Sequence, residues 1–172
     1  HDGWSAVIEA EATRHLFAEH FNSSANGLTA FPTVVDPDNT ELNQAYVRYA
    51  PGTKTQVSLG RQRVQWDNQR FFGNVGWRQN EQTFDALWLE ARPGTAWTLR
   101  YGWLGRVHRV AGDEAFDPMA RERRLDTHLF NAAWTGAPGT VVGYGYWHED
   151  RDVATASTRT LGLRWTGVRK TE

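Results

Sequence analysis

The chain has 172 residues, about one domain's worth, and its 19 Lys and Arg against 20 Asp and Glu leave a net charge of -1. That balance supplies no global field for nucleic acid, and the absence of cysteine excludes disulfides, thiolate catalysis and the common structural zinc sites. No apolar run approaches the ~20 residues of a membrane-spanning helix, yet nine Trp and sixteen Gly sit in a chain of mean hydropathy -0.64.

The N-terminal His1-Asp2-Gly3-Trp4 has neither a basic region nor an apolar stretch, so any signal peptide is expected to have been removed or to lie upstream. From there the chain alternates: Trp4, Ala6, Ile8 and Ala10 fall on one parity, Val7, Glu9 and Glu11 on the other. Successive side chains of a strand point to opposite faces, so this pattern predicts a strand over 3–13. Further strands are predicted over 41–50, 54–64, 82–92, 96–109, 127–136, 140–149 and 157–167.

The tripeptide Pro-Gly-Thr recurs at 51–53, 93–95 and 138–140 and marks three hairpin turns. Aligned on these prolines, Val57, Leu59, Trp97, Leu99, Tyr101, Trp103, Val142, Tyr144 and Tyr146 share an apolar parity. Gln56, Ser58, Gly60, Thr98, Arg100, Gly102, Val141, Gly143 and Gly145 share the polar one. On that parity the glycines, with Gly162, are expected to leave a lumen open. Long connections over 14–40, 65–81, 110–126 and 150–156 all fall at the end opposite the Pro-Gly-Thr turns.

Strands near ten residues, loops sorted by length to opposite ends, and Trp and Tyr near strand ends match an antiparallel up-and-down transmembrane β-barrel. Trp97, Tyr101, Trp103, Trp134 and Trp165 would then meet lipid. The alternative from another class is a soluble β-sheet carbohydrate-binding module whose aromatic face stacks on sugar rings.

Residues 36–46, Asp-Pro-Asp-Asn-Thr-Glu-Leu-Asn-Gln-Ala-Tyr, with Leu59-Gly60-Arg61-Gln62-Arg63 and the stretch 67–86 (Asp-Asn-Gln-Arg-Phe-Phe-Gly-Asn-Val-Gly-Trp-Arg-Gln-Asn-Glu-Gln-Thr-Phe-Asp-Ala), resemble the alginate-export-type outer-membrane porins of Gram-negative bacteria. The resemblance runs from about residue 3 to 167. It implies a passive outer-membrane channel for small hydrophilic or anionic solutes, carbohydrate or polyuronate included, in a barrel larger than eight strands. The C-terminal Thr166-Gly167-Val168-Arg169-Lys170-Thr171-Glu172 lacks the terminal aromatic strand of such barrels. Residues 1–172 therefore read as a single barrel segment without its last strands, although eight strands could in principle close alone.

Parity places Glu9, Glu11, Gln44, Arg48, Glu90, Thr98, Arg100, Arg106, His108 and Arg164 toward a pore, where charged side chains set ion preference. Both signs are present, which predicts weak selectivity; the bland reading is of solvated charges paired across strands. Arg61 and Arg63 break the parity: either a bulge at Gly60 turns them into the lumen, which is favoured, or they meet headgroup phosphate. Asp67, Asn68, Arg70, Trp77, Arg78 and Asn80 are candidates for a constriction loop, against a loop packed on its own Phe71, Phe72 and Trp77.

Asp36, Asp38, Asn39 and Glu41 read as an Asx-bonded turn more readily than a calcium site, and no metal or cofactor is expected. Arg121, Arg123 and Arg124 beside Glu122 and Asp126 read as a solvated loop. No motif brings a nucleophile, base and acid together, so an enzyme is not expected. The expected partners are outer-membrane lipid and lipopolysaccharide and a small hydrophilic solute, with no nucleic acid; oligomeric state is not legible.

Overall fold

A computed structural model describes residues 3–17, 20–137 and 139–167. Eight strands form one antiparallel sheet in chain order: β1 Trp4–Thr13, β2 Asn39–Tyr49, β3 Thr55–Gln62, β4 Thr83–Ala91, β5 Trp97–His108, β6 Glu122–Gly136, β7 Gly139–His148 and β8 Thr158–Thr166. A short helix, α1 Pro118–Arg121, is capped by Asp117, and a single 3-10 turn covers Ala154–Ala156. Every strand pairs with its chain neighbours, but β1 and β8 do not pair with each other, so the sheet is open and the eight strands do not close alone.

One face is apolar and uncovered. Ile8, Leu59, Leu161, Leu163, Trp97 and Trp165 are all exposed, and they belong to a field that crosses the whole sheet. Trp4, Trp97, Trp134 and Trp165 stand toward the short-turn end, Trp103 and Trp147 toward the long loops. From Trp97 to Trp103 is roughly 20 Å of strand at ~3.4 Å per residue, close to the apolar band that a tilted barrel presents to lipid.

The opposite face holds the core. Leu104, Leu129, Phe84, Ala86 and Tyr146 are buried there beneath Val64 and Trp66, which arrive from the β3–β4 connection. The sheet is therefore covered on one side by its own loop and bare on the other.

Three corrections to the parity follow from local geometry. In β7 the hairpin closes tightly, with Gly136 opposite Gly139. By contrast β2–β3 pairing stops at Tyr49 opposite Val57. The tighter turn shifts the phase by one, so Val141, Gly143 and Gly145 lie on the apolar face and Val142, Tyr144 and Tyr146 on the polar face. In β5, Asp85 pairs with Arg106 and Ala86 with Leu104, leaving Gly105 as the extra residue of a bulge. Arg106 and His108 consequently point outward rather than with Arg100. Finally, β6 begins at Glu122 instead of near 127, because Arg124, Arg123 and Glu122 continue the pairing with Arg106, Val107 and His108 of β5, and the arginines are ion-paired, Arg123 with Asp150 at 3.2 Å and Arg124 with Asp152 at 2.6 Å.

Candidate functional site

The polar face carries Glu9, Gln44, Arg48, Glu90, Thr98, Arg100 and Arg164, each held there by its register. Cross-strand partners share a face, so one row runs Gln56, Glu90, Arg100, Asn131, Tyr144, Gly162 across β3 to β8. Within that row Arg100 Nε donates to Glu90 at 2.7 Å, and Arg92 holds the other Glu90 oxygen at 2.7 Å. Near the long loops, Glu9 accepts from Asn43 at 2.8 Å, Gln44 at 3.1 Å and Arg63 at 2.6 Å.

Arg63 lies just past the end of β3 and reaches inward, bridging Glu9 and Glu81. The hydrogen bonds it donates to Glu81, reinforced by those to Glu9, raise its pKa further, so it stays a cation at every accessible pH. Arg61 behaves differently, and the favoured lumen orientation is corrected. Pairing through Gly60 continues without a register shift, which leaves Arg61 on the apolar parity with Leu59, ion-paired to Asp85 at 3.1 Å. Arg106 bonds Glu122, and His108 Nε2 lies 3.0 Å from Asp85 Oδ2. Together these groups form a charged outward rim above the apolar band. Glu11 lies opposite Glu41 at the loop end of β1 and has no ion-pair partner among the described residues.

The loop between β3 and β4 divides in two. Its first half lies on the polar face. Trp66 is 5% exposed, its ring 4.0 Å from Trp88 and 6.2 Å from Tyr146. Phe71 meets Tyr144 and Tyr146 at 5.7 Å, and Phe72 meets Tyr146 at 5.7 Å and His148 at 5.6 Å. Asp67 fastens this half, accepting from Asn131 at 2.8 Å and pairing with Arg164 at 2.9 Å. Asn68 and Arg70 are exposed beside it, with the Arg70 guanidinium 5.7 Å above the Phe71 ring. These residues enclose a hollow of about 140 Å³ bounded by Arg70, Phe71, Tyr144 and Arg164.

The second half turns away. Trp77 is exposed with Arg78 stacked 4.4 Å over it, and Arg78 reaches Asp36 at 3.5 Å. Asn80 is buried, accepting from Thr13 at 2.9 Å and donating to the Pro37 carbonyl at 3.4 Å. Trp77, Arg78 and Asn80 thus brace the loop against the 36–38 turn instead of joining residues 66–72 on the polar face. Asp38 accepts from the His15 backbone at 2.7 Å, so both aspartates of that turn are engaged in loop contacts.

Sequence parity missed Trp66, Trp88, Asn131, Tyr144 and Tyr146 as parts of one assembly. The available signal was an aromatic cluster beside glycines on an otherwise polar face. Gly102 accommodates the Trp88 ring, with Trp88 Cζ3 3.0 Å from where a Cβ would stand, and Gly162 lies beneath Tyr144. Gly102 and Gly162 make room for neighbouring rings rather than holding a lumen open, and Gly143 and Gly145 lie on the apolar face.

An open up-and-down sheet with a bare aromatic-girdled face and a charged, loop-covered face defines a segment of an outer-membrane β-barrel. A family model described as Alginate export matches residues 1–171, and the chain belongs to that family. This is a family of outer-membrane transport channels, not of enzymes, and it places the protein in the bacterial outer membrane. No curated protein and no solved structure matches the chain.

Proposed function

We propose that the polar face lines the pore of an export-family channel, that residues 66–72 form its constriction, and that small hydrophilic solutes, anions included, cross it by passive diffusion. The observation that carries this reading is the seating of Trp66 to Phe72 on the charged face by Asp67, Arg164 and Asn131. A loop serving only as a connector needs no buried aromatic anchor and no ion pair on a strand two hairpins away.

The charge pattern supports low selectivity. Arg100 is matched by Glu90, Arg63 by Glu9 and Glu81, and Arg164 by Asp67. Arg48 and Arg70 have no carboxylate partner among the described residues; Arg48 instead donates to the Tyr46 hydroxyl at 3.2 Å. Set against the unpaired carboxylate of Glu11, these two cations bias the face only slightly toward anions and do not make the strongly basic lane that a polyuronate would favour.

Closure needs further strands. Each unpaired backbone group of β1 and β8 facing hydrocarbon costs several kcal/mol, so the segment 1–172 functions within a larger barrel. Liposome swelling with the full-length protein tests the reading: neutral sugars and uronates should both enter, uronates modestly faster. Proteoliposomes that hold folded protein yet admit neither class would overturn it.

A further inference from the structure

Between β5 and β8 the outward face is hollowed. Ala132, Gly143 and Gly145 form a floor, and Tyr101, Trp147 and Leu161 stand around it, enclosing a groove of about 520 Å³. That volume lies within the ~300–1,000 Å³ of small-molecule clefts. The groove is open over Gly143, where a Cβ would meet only Leu163 Cδ1 at 4.0 Å.

At the long-loop end the groove adjoins a second hollow of about 340 Å³, lined in part by Asp126, His128 and Arg159, with Trp147 as the common wall. Arg159 stands opposite Trp147 and one side-chain layer beyond Leu161 on the same face. On β8, the edge that a further strand of the closed barrel would flank, it has no hydrogen-bond or ion-pair partner among the described residues. The other outward arginines of this rim are committed: Arg61 to Asp85, Arg106 to Glu122, Arg124 to Asp152 and Arg151 to Asp126. Of the carboxylates at the upper hollow, Asp126 is engaged by Trp103 Nε1 at 3.0 Å and Arg151 at 2.5 Å, whereas Glu149 is exposed and lies 3.9 Å from the same Arg151.

An apolar groove leading to an uncommitted guanidinium at headgroup level fits an acyl chain attached to a phosphate. Long loops of such barrels face the cell exterior, so the leaflet concerned is the outer one. We infer that β5–β8 carry a specific site for the phosphorylated glycolipid of that leaflet, with an acyl chain over Gly143 and a phosphate on Arg159. Lipid covers the entire apolar face; depth and an unmatched cation distinguish this place from the rest of it.

The test is native mass spectrometry of the full-length protein in mild detergent, with added bisphosphorylated lipid A, its dephosphorylated form, and phosphatidylethanolamine. The wild-type protein should retain bisphosphorylated lipid A in preference to both. Arg159→Gln should weaken that retention about tenfold, the effect of losing one charge-assisted contact, and leave the dephosphorylated form unaffected. Gly143→Leu fills the groove and should weaken both forms. Arg159 is exposed at a strand end, so its variant folds and the test does not depend on Gly143. Equal retention of all three lipids by the wild-type protein, or unchanged lipid A retention in Arg159→Gln, would show annular lipid only and overturn the site.

Discussion

The two faces of this sheet are built from adjacent residues of the same strands and solve opposite solvation problems. On the outward face, Leu59, Leu161 and Leu163 stand bare, because in hydrocarbon an exposed leucine costs nothing, and the few charges are pushed to the rim and, Arg159 apart, paired. On the inward face charges occur at mid-strand, but Arg100 and Arg164 are tied to Glu90 and Asp67, and the largest aromatic groups are roofed by Trp66, Phe71 and Phe72. The difference teaches that polar parity alone does not mean open water: this face is charged where it is wet and aromatic where the loop covers it.

The strongest way to break the comparison is to remove the roof. Trp66→Ala deletes a buried ring stacked on Trp88 and should cost about 3–5 kcal/mol locally. Hydrogen exchange should then rise across residues 66–72 while the strand amides stay protected.

A charge placed on each face sharpens the contrast next. Leu99→Arg, within the apolar band, should cost about 2–4 kcal/mol, whereas Thr98→Arg, one residue away on the polar face, should change stability by under about 0.5 kcal/mol. Urea titration in lipid vesicles measures both, and equal effects would mean the faces are not inequivalent to the membrane.

Smaller is the effect of unfastening the loop. Asp67→Ala leaves Arg164 and Asn131 without their shared acceptor and should destabilise the loop by about 1–3 kcal/mol. Arg164→Ala in the Asp67→Ala background should add little, since the two act as one contact.

The smallest effect lies outside the membrane. The hydrogen bond from the Arg124 side chain holds the Asp152 carboxyl below the usual carboxylate range. A depressed folded-state pKa contributes stability above the unfolded value, and that contribution is lost as pH falls through the folded value. Exchange of the 149–157 loop should therefore be unchanged near neutrality and rise only under strong acid, and Asp152→Asn should bring the fast exchange to neutral pH.

Much of the architecture was legible because period-two alternation is imposed residue by residue. Trp97, Leu99, Tyr101 and Trp103 declare their face without help from any distant contact. What escaped depends on single backbone events. The bulge at Gly105 resets the phase for Arg106 and His108, and the tight Gly136–Gly139 closure resets it for all of β7; neither changes composition. The extension of β6 to Glu122 follows the far end of β5, and its arginines are matched by carboxylates at 150 and 152 from a different loop. The candidate constriction was half visible: the polar richness of 67–80 marked the loop, but only the fold separates Asp67, which reaches Arg164, from Asn80, which reaches Thr13.

The most direct test of the central claim, that residues 66–72 narrow a pore lined by the polar face, is single-channel conductance in a planar bilayer under a potassium chloride gradient. It would compare the full-length protein with a variant whose residues 66–72 are replaced by glycine and serine. The account predicts stepwise conductance for both, severalfold larger steps in the variant, and a reversal potential that moves once Asp67 and Arg70 are gone. Identical steps and identical reversal potentials, from proteins that both insert and fold, would contradict it.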